Sequence, residues 1–502
     1  MRARFRALGL FFSLAIFIVL AVGCNDTLRQ FITPVPGPTG NPGTLAHAII
    51  LSTNPVTTLP GSDMHIDVSG DTNAGVVPVG PNPVFLGTTS NRAFVINSGD
   101  ATTPPTVSVY TALLPTSSTV STVTLPSASS NPIAGSTSSA NNIYIANHDS
   151  NTVDVIDANV LAVTNTLPVG TNPVMIAGNT ANNKVFVINQ GSNNVTEISA
   201  IDNTVIKTIA VGASPVWGVM SSDGLFVFIV NQGDGTVSVI DASLDLVLPC
   251  APGPSCNSTT GAIKVGTTAT PSPNFAFYEP RLKQVYISNT GENSISVIKG
   301  NGFDLGVTPQ ILPAKIADIP LTGPPVSVTA TADGTRAYAA LGNCPAGTNH
   351  LNIKANLPSC TGNLVSVVDT TALSQISTIT VGAGVVSVSA SSDSSRVYAI
   401  SANDITTIRD NVHAPNCQGT GCLPGPVLPD RTFAAPSVYV IPTDTNVPLV
   451  TPVDPSVVSR PLPTFHTPQQ DPNCNSVIDP NFNNKVPIPC AAQVPFIVRT
   501  FP

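Results

Sequence analysis

The sequence predicts an all-β protein built from repeated units of short antiparallel strands. Of its 502 residues, 48 are Pro and 37 are Gly, while only 10% are charged and 42% are hydrophobic. Proline and glycine favour tight connections, and the many β-branched residues favour strands. The hydrophobic content is too high and the charge too low for a disordered chain. An internal repeat of 41 to 60 residues is the second observation, and it specifies the architecture.

The N-terminus predicts export and a lipid anchor. Arg2, Arg4 and Arg6 precede an apolar run that stops at Cys24, so residues 1–23 have the plan of a secretory signal peptide. The segment LAVGC resembles the lipobox of bacterial lipoproteins, which implies that Cys24 carries the lipid. The alternative is an uncleaved anchor or an ordinary signal peptide. Asn25 is not the Asp that retains lipoproteins at the inner membrane, so we expect the outer membrane or the cell surface.

The net charge excludes some partners. Without residues 1–23 the chain has 17 Lys and Arg against 28 Asp and Glu, a net of −11. Such an acidic chain has no basic surface for nucleic acid or for anionic lipid headgroups. We therefore expect a monomer that meets the membrane only through its N-terminal lipid. Residues 24–45 are rich in Pro and Gly, which predicts a semi-rigid tether.

Seven copies of a Val-Gly-x-x-Pro-Val unit, three of them intact, organise residues 46–452. Their reference positions are Pro83, Pro132, Pro173, Pro215, Pro273, Pro325 and Val385. In the first five units a second strand follows and ends in an asparagine, namely Asn97, Asn147, Asn189, Asn231 and Asn289. A third strand such as TVSVID and a fourth complete each unit, which is the content of one propeller blade. We therefore predict a seven-bladed β-propeller of four-stranded antiparallel blades.

These repeats resemble the YVTN family of β-propeller repeats, through strand ends that read FVIN, YIAN, IVN and YISN and the TVSVID-like strand that follows. The resemblance covers residues 46–452 and implies an exported or cell-surface protein, most relatives of which have no assigned reaction. Strands in HAIILSTNP and MHIDVSGDTNAGVVPVG are expected to latch the ring. The Pro-rich C-terminal extension, residues 453–502, is expected to wrap the ring irregularly, with the segment PFIVRTF left undecided.

The five repeated asparagines allow two interpretations. Asn and Gly adopt positive φ with little strain, so we expect segments such as NQGSNN (189–194) to turn from the second strand to the third. The alternative is a polar ring around a ligand funnel. On that alternative, Asn97, Asn147, Asn189, Asn231 and Asn289 are candidate binding residues.

Eight cysteines remain after Cys24, and they fall in sequential pairs. The pairs are Cys250 with Cys256, Cys344 with Cys360, Cys417 with Cys422, and Cys474 with Cys490. An exported protein can form disulfides, and we predict these four, although eight cysteines allow 105 pairings. A zinc site is the alternative, but no CxxC occurs. The loop 343–363 is either a recognition element or a protective surface decoration.

No cluster of residues identifies a reaction. The six histidines occupy unrelated repeat positions, so we expect no metal, and the single Trp217 argues against a quinone cofactor; we expect no cofactor at all. We therefore predict a non-catalytic binding or scaffold module at the cell envelope, for a protein, peptide or glycan ligand. The alternative is an exported seven-bladed propeller hydrolase or lactonase.

Overall fold

In the residues that it describes, the computed structural model is all-β apart from two short helical turns in one loop. It describes residues 47–443, except for short gaps, and four strand segments further on. The gaps are 55–58, 69–71, 90–91, 101, 113–118, 127–129, 140, 404, 409–430 and 435, and the later segments are 460–461, 477–478, 485–486 and 494–501. Among these residues no helix is long and apolar enough to span a bilayer.

Eight antiparallel blades form the propeller, so the predicted number of seven was wrong. Seven blades are the seven sequence repeats, and we number them one to seven along the chain. The eighth, here called the closing blade, has the strand order β3-β2-β1-β37. Its strands are β1 (His47–Thr53), β2 (Pro60–Asp67), β3 (Thr72–Pro81) and β37 (Val494–Phe501). The two ends of the chain therefore share one blade.

The seven repeat blades follow in chain order. Blades one to three contain β4 (Pro83–Thr88), β5 (Arg92–Asn97), β6 (Thr106–Thr111), β7 (Ser121–Thr124); β8 (Pro132–Thr137), β9 (Asn142–Asn147), β10 (Thr152–Asp157), β11 (Ala162–Pro168); and β12 (Pro173–Ala177), β13 (Lys184–Asn189), β14 (Asn194–Ser199), β15 (Thr204–Ala210). Blades four and five contain β16 (Pro215–Met220), β17 (Phe226–Asn231), β18 (Thr236–Asp241), β19 (Leu246–Val247), β20 (Ile263–Lys264); and β21 (Pro273–Glu279), β22 (Gln284–Asn289), β23 (Ser294–Lys299), β24 (Lys315–Pro320).

Blades six and seven are interrupted by insertions. They contain β25 (Ser327–Ala330), β26 (Arg336–Leu341), β27 (Leu364–Asp369), β28 (Ser374–Thr380); and β29 (Val385–Ala390), β30 (Arg396–Ser401), β33 (Ser437–Pro442), β34 (Arg460–Pro461). Two further hairpins lie outside the blades: β31 (Ile405–Ile408) with β32 (Arg431–Ala434), and β35 (Val477–Ile478) with β36 (Lys485–Val486). The third strand of blade seven is thus SVYVIP.

The innermost strand of each blade contacts the innermost strands of its two neighbours, which closes the ring. These strands are β4, β8, β12, β16, β21, β25, β29 and β37. The expected latch by N-terminal strands is confirmed for the outer three strands of the closing blade. Its innermost strand, β37, comes from the C-terminal extension. The register of β37 matches that of the repeat blades, since Pro495 pairs with Ser52 on β1 as Pro173 pairs with Asn189 in blade three.

The recurring Val-Gly-x-x-Pro-Val unit is explained by backbone geometry and by close packing. The residue before the proline has a left-handed backbone, with φ of 51° at Asn172 and 47° at Ser214. The glycine has no room for a side chain, since a Cβ atom on Gly170 would lie 2.7 Å from Cγ of Asn189. In the three intact units the glycine (Gly80, Gly170 or Gly212) therefore packs closely against the terminal asparagine of the same repeat (Asn97, Asn189 or Asn231).

Candidate functional site: a capped axial channel

The innermost strands surround an axial channel that contains two adjoining cavities, of about 330 Å³ and about 70 Å³. The two cavities share four lining residues, Phe85, Trp217, Phe275 and Arg499. The larger cavity runs along the strands to their C-terminal ends. The smaller one lies at the other side, beneath the loop 343–363.

The loop 343–363 crosses the channel mouth and forms a cap. It leaves blade six after β26, contains α1 (Ile353–Asn356) and a 3-10 turn (Leu357–Ser359), and is joined at its base by the Cys344–Cys360 disulfide. The face that it covers carries the turns between second and third strands, as the sequence predicted. The insertion is therefore not a projecting surface loop.

Hydrogen bonds fasten the cap to four other blades. Asn349 donates to Oε1 of Gln232 in blade four at 3.0 Å, and Nε2 of His350 bonds to the carbonyl of Val174 in blade three at 2.8 Å. Three further hydrogen bonds reach blades one and seven. Lys354 Nζ donates to Oδ1 of Asn82 (2.6 Å) and to the carbonyl of Pro83 (2.9 Å) in blade one, and Asn403 of blade seven donates to the carbonyl of Cys360 (2.7 Å). The cap thus spans the channel.

Burial sets the charge state of the cap residues. It lowers the pKa of His350 to about 4, so the imidazole is neutral at neutral pH. Because Nε2 faces a carbonyl oxygen, that nitrogen carries the proton, and the buried Nδ1 has no hydrogen-bond partner among the described residues. Burial also lowers the pKa of Lys354 to about 8.

Aromatic rings form one wall below the cap. The Trp217 ring lies 4.5 Å from the Phe275 ring, centroid to centroid, and 5.0 Å from the His350 ring in an edge-to-face arrangement. The indole Nε1 donates to the carbonyl of Ala276 at 3.1 Å, which fixes the orientation of the ring. This wall can pack against a flat apolar group.

The five repeated asparagines are not brought together. Each is 0% exposed and lies within its own blade, where its side-chain nitrogen donates to side chains of the third strand. In blade four, Nδ2 of Asn231 donates to the hydroxyls of Thr236 and Ser238, both at 3.0 Å. The same pattern occurs for Asn97, Asn147, Asn189 and Asn289. These positions lie away from the channel cavities and tie second strands to third strands.

The expected turn is formed by other residues of the same segment. Asn189 is the last residue of β13, whereas the positive φ of 53° occurs at Asn193. The Asn189 side chain therefore serves the interior of the blade, and Asn193 serves the turn.

Two of the predicted disulfides lie among the described residues, and the structure joins both, Cys250–Cys256 and Cys344–Cys360. The predicted lipidation residue Cys24 and the proposed pairs Cys417–Cys422 and Cys474–Cys490 lie outside the described residues. Within the described part of the chain, no group of three or more His, Cys, Asp or Glu side chains has an arrangement that could hold a metal ion.

Sequence reasoning missed Trp217 and Arg499 as channel residues. Trp217 was noted only as the single tryptophan, and Arg499 lies in the extension that was expected to be irregular. One pattern could have found Arg499. Pro495-Phe496 begins an apolar strand in the same way that the Pro-Val pair begins a strand in the repeat units.

Comparison with known proteins supports the fold. No protein-family profile matches the sequence, and no curated protein is similar to it. Among solved structures, the dihydro-heme d1 dehydrogenase NirN in complex with DHE aligns with a TM-score of 0.53 at 10% identity, over 80% of this chain and 71% of that one. A putative 6-phosphogluconolactonase from Bacteroides fragilis aligns with a TM-score of 0.47 at 14% identity, over 68% of this chain and 97% of that one. The Pseudomonas aeruginosa periplasmic gluconolactonase PpgL aligns with a TM-score of 0.46 at 11% identity, over 68% of this chain and 97% of that one.

At these identities the likeness to NirN shows a shared propeller fold and nothing about ligand or reaction. The chain is therefore a β-propeller with four-stranded antiparallel blades. What its channel does must be argued from its own residues.

Proposed function

We propose that this protein is an exported, lipid-anchored binding module that takes a small ligand into its capped axial channel. The observation that carries the proposal is the cap itself. The cap is a loop that is closed by a disulfide and hydrogen-bonded to four other blades. Because it closes one end of the channel, the channel becomes a pocket with one closed end. A concave, mostly apolar pocket with a few polar groups is the usual form of a small-molecule site.

The walls of the pocket support recognition rather than a role as a spacer. Their aromatic side chains are held in place by packing and by hydrogen bonds, as the Trp217 indole shows. A rigid wall loses little freedom when a ligand binds, so more of the contact energy contributes to affinity. The sequence predicted a protein, peptide or glycan ligand; the pocket favours a small molecule.

Trp217 provides the experiment, because it is the only tryptophan of the chain and lines both cavities. A library of small aromatic and aliphatic fragments would be titrated into the oxidised full chain while the tryptophan emission is recorded. We expect some fragments to shift the emission in a saturable way, with dissociation constants of roughly 10 µM to 1 mM.

Two double variants make this test specific to the cap. Cys344→Ser with Cys360→Ser loosens the cap and should weaken fragment binding about tenfold, because the pocket floor is no longer fixed. Cys250→Ser with Cys256→Ser removes the other described disulfide and should leave binding within about twofold. Equal effects of both variants, or no saturable signal with any fragment, would contradict the proposal.

The same preparations would be tested for hydrolysis of gluconolactone and 6-phosphogluconolactone, followed by proton release. We expect no turnover above the spontaneous rate. Turnover that the cap variant abolishes and the Cys250/Cys256 variant retains would replace the binding proposal with the hydrolase or lactonase alternative.

A further inference from the structure

Arg499 gives the channel a positive charge at a level where every other blade is uncharged. On β37, Arg499 pairs with Ile49 of β1. In each of the other seven blades, one residue of the innermost strand occupies the position that Arg499 has in β37, as its pairing with the second strand shows. These residues are Gly87, Ser136, Ala177, Val219, Phe277, Thr329 and Ser389. Alternate residues of a strand lie on one face, so Ile497 and Arg499 both point along the channel side of β37.

The Arg499 guanidinium lacks a counter-charge in the described structure. It lines both cavities, and no Asp or Glu is among the described residues that line either one. No hydrogen bond or ion pair joins it to a described residue, and burial alone lowers its pKa. A guanidinium stays protonated under all physiological conditions. A positive charge that is held in an apolar channel without a partner is unfavourable, and a bound anion would relieve that cost.

The neighbours of Arg499 restrict the kind of anion. His350 is neutral, so it does not add a second positive charge that a phosphate or a dicarboxylate would need. Trp217, Phe275 and Phe85 line the same two cavities and present apolar surface next to the guanidinium. The cavity of about 330 Å³ has room for a molecule of roughly the size of a single aromatic ring with a short substituent.

We propose that the channel binds a small organic monocarboxylate, with its carboxylate paired to Arg499 and its apolar body packed against Trp217 and Phe275. Arginine is suited to this role, because its planar fork donates two parallel hydrogen bonds to one carboxylate. The inference rests on the proposed binding function and specifies the ligand class of that same pocket.

The test compares two probes of nearly equal shape, benzoate and the neutral benzyl alcohol, on the oxidised full chain. Binding is followed by Trp217 emission and by isothermal titration calorimetry. We expect benzoate to bind about tenfold to a hundredfold more tightly than benzyl alcohol, because only benzoate can form a charge-assisted pair with Arg499. This comparison needs no variant and so does not depend on how a substitution folds.

Three variants then assign the difference to one side chain. Arg499→Gln should reduce benzoate affinity to that of benzyl alcohol and leave benzyl alcohol binding unchanged. Arg499→Lys keeps the charge without the fork and should give an intermediate value. Arg336→Gln is the matched control, since Arg336 pairs with Asp369 at 3.2 Å in blade six and lines neither cavity. Circular dichroism checks that each variant is folded.

The outcomes separate the inference from the proposed function. Equal affinities for benzoate and benzyl alcohol in the natural chain, or an unchanged preference in Arg499→Gln, would overturn the carboxylate inference and keep the pocket as a binding site. If neither probe nor any library fragment binds, both the inference and the proposed function fail. Tighter binding of inorganic phosphate than of benzoate would also overturn the inference, because the site would then select charge without an apolar body.

Discussion

The closing blade and the seven repeat blades have the same strand topology but different interiors. In every repeat blade the middle of the second strand is aromatic, and the set is Phe94, Tyr144, Phe186, Phe228, Tyr286, Tyr338 and Tyr398. The closing blade has Ile49 at that level, and it pairs with His65. The third-strand residue opposite the aromatic is valine in six repeat blades and Glu197 in blade three, where Lys184 pairs with the carboxylate at 2.6 Å.

The closing blade and the repeat blades differ more strongly at a second position of the third strand, two residues before the one just described. All seven repeat blades have Val or Ile there, for example Val195, whereas the closing blade has Asp63, which is 0% exposed. Tyr110 of blade one donates its hydroxyl to Asp63, and its ring lies 5.7 Å from the His65 ring. The seam between the closing blade and blade one is therefore polar and titratable.

This difference shows two ways to specify a blade. A repeat blade is encoded within one continuous segment by an apolar pattern, and in the three blades with an intact unit also by the glycine-asparagine contact. The closing blade is specified by long-range pairing between chain ends, and its buried polar groups cost stability wherever they are not paired.

The largest expected effect comes from breaking the β37 seam. Val498→Asp places a carboxyl where the side chain is 1% exposed, and we expect a loss of at least about 3 kcal/mol in the free energy of unfolding. Hydrogen exchange should show lost protection in β1 while β13 and β17 stay protected, because the closing blade opens on its own.

Val205→Asp in β15 is the matched control, since Val205 is 41% exposed; it should change stability by less than about 0.5 kcal/mol. Equal losses in the two variants, or uniform deprotection of all blades in Val498→Asp, would contradict an independently opening closing blade.

The next effect is on the pH dependence of stability. Burial raises the pKa of Asp63 from 3.8 to about 7. The contribution of Asp63 to the stability of the fold is therefore fully present below pH 3.8 and is lost as the pH rises through 7. Burial and, to a smaller extent, the charge of His47 lower the pKa of His65 from 6.5 to about 3. The contribution of His65 to stability is therefore fully present above pH 6.5 and is lost as the pH falls through 3. Between about pH 4 and 6.5 the two dependences oppose each other.

Single variants should therefore reveal opposite slopes. In Asp63→Asn, stability should increase with pH from about 3 to 6.5, because His65 still titrates and the opposing dependence of Asp63 is gone. In His65→Val, which copies the repeat blades, it should decrease from about pH 4 to 7. We expect changes on the order of 2–4 kcal/mol across each range in denaturant titrations. Slopes of the same sign in both variants would show that these two groups do not control the seam.

The smallest effect compares the ends of the second strands. Asn231→Ala removes two hydrogen bonds and leaves the buried hydroxyls of Thr236 and Ser238 with fewer partners, which should cost about 1–3 kcal/mol. Ser52 occupies the equivalent place in the closing blade, and Ser52→Ala should cost less than about 0.5 kcal/mol. Chemical denaturation of both variants measures the difference, and a larger loss in Ser52→Ala would reverse the assignment.

The sequence predicted the repeat blades well because each one carries its own pattern. The fold class, the seven repeat units and the strand ends at residues such as Asn189 and Asn231 follow from local periodicity. The eighth blade could not be counted, since no Val-Gly-x-x-Pro unit precedes its innermost strand, its second strand has no terminal asparagine and no central aromatic, and its strands come from opposite ends of the chain.

The candidate site was less predictable for the same reason. The cap was found as a cysteine-flanked insertion, but its contacts with Gln232, Val174 and Asn82 depend on how the ring brings distant blades together. Arg499 lies in a channel only if β37 is an innermost strand, and local sequence does not specify that pairing. The five asparagines were predicted to be turn residues, with a polar funnel as the alternative, yet the hydrogen bonds that they donate to the third strand are visible only in three dimensions.

The most direct test of this account is a crosslink between the two ends of the chain. Ala48 on β1 lies directly opposite Thr500 on β37, so a chain with Ala48→Cys and Thr500→Cys should form a disulfide that peptide mass spectrometry identifies. The offset pair Ile49→Cys with Thr500→Cys should not crosslink, because neighbouring residues of a strand point to opposite faces. Efficient crosslinking of the first pair alone would establish the eight-bladed closure that places Arg499 in the channel. Absence of a crosslink in folded Ala48→Cys/Thr500→Cys protein, or equal crosslinking of both pairs, would contradict it.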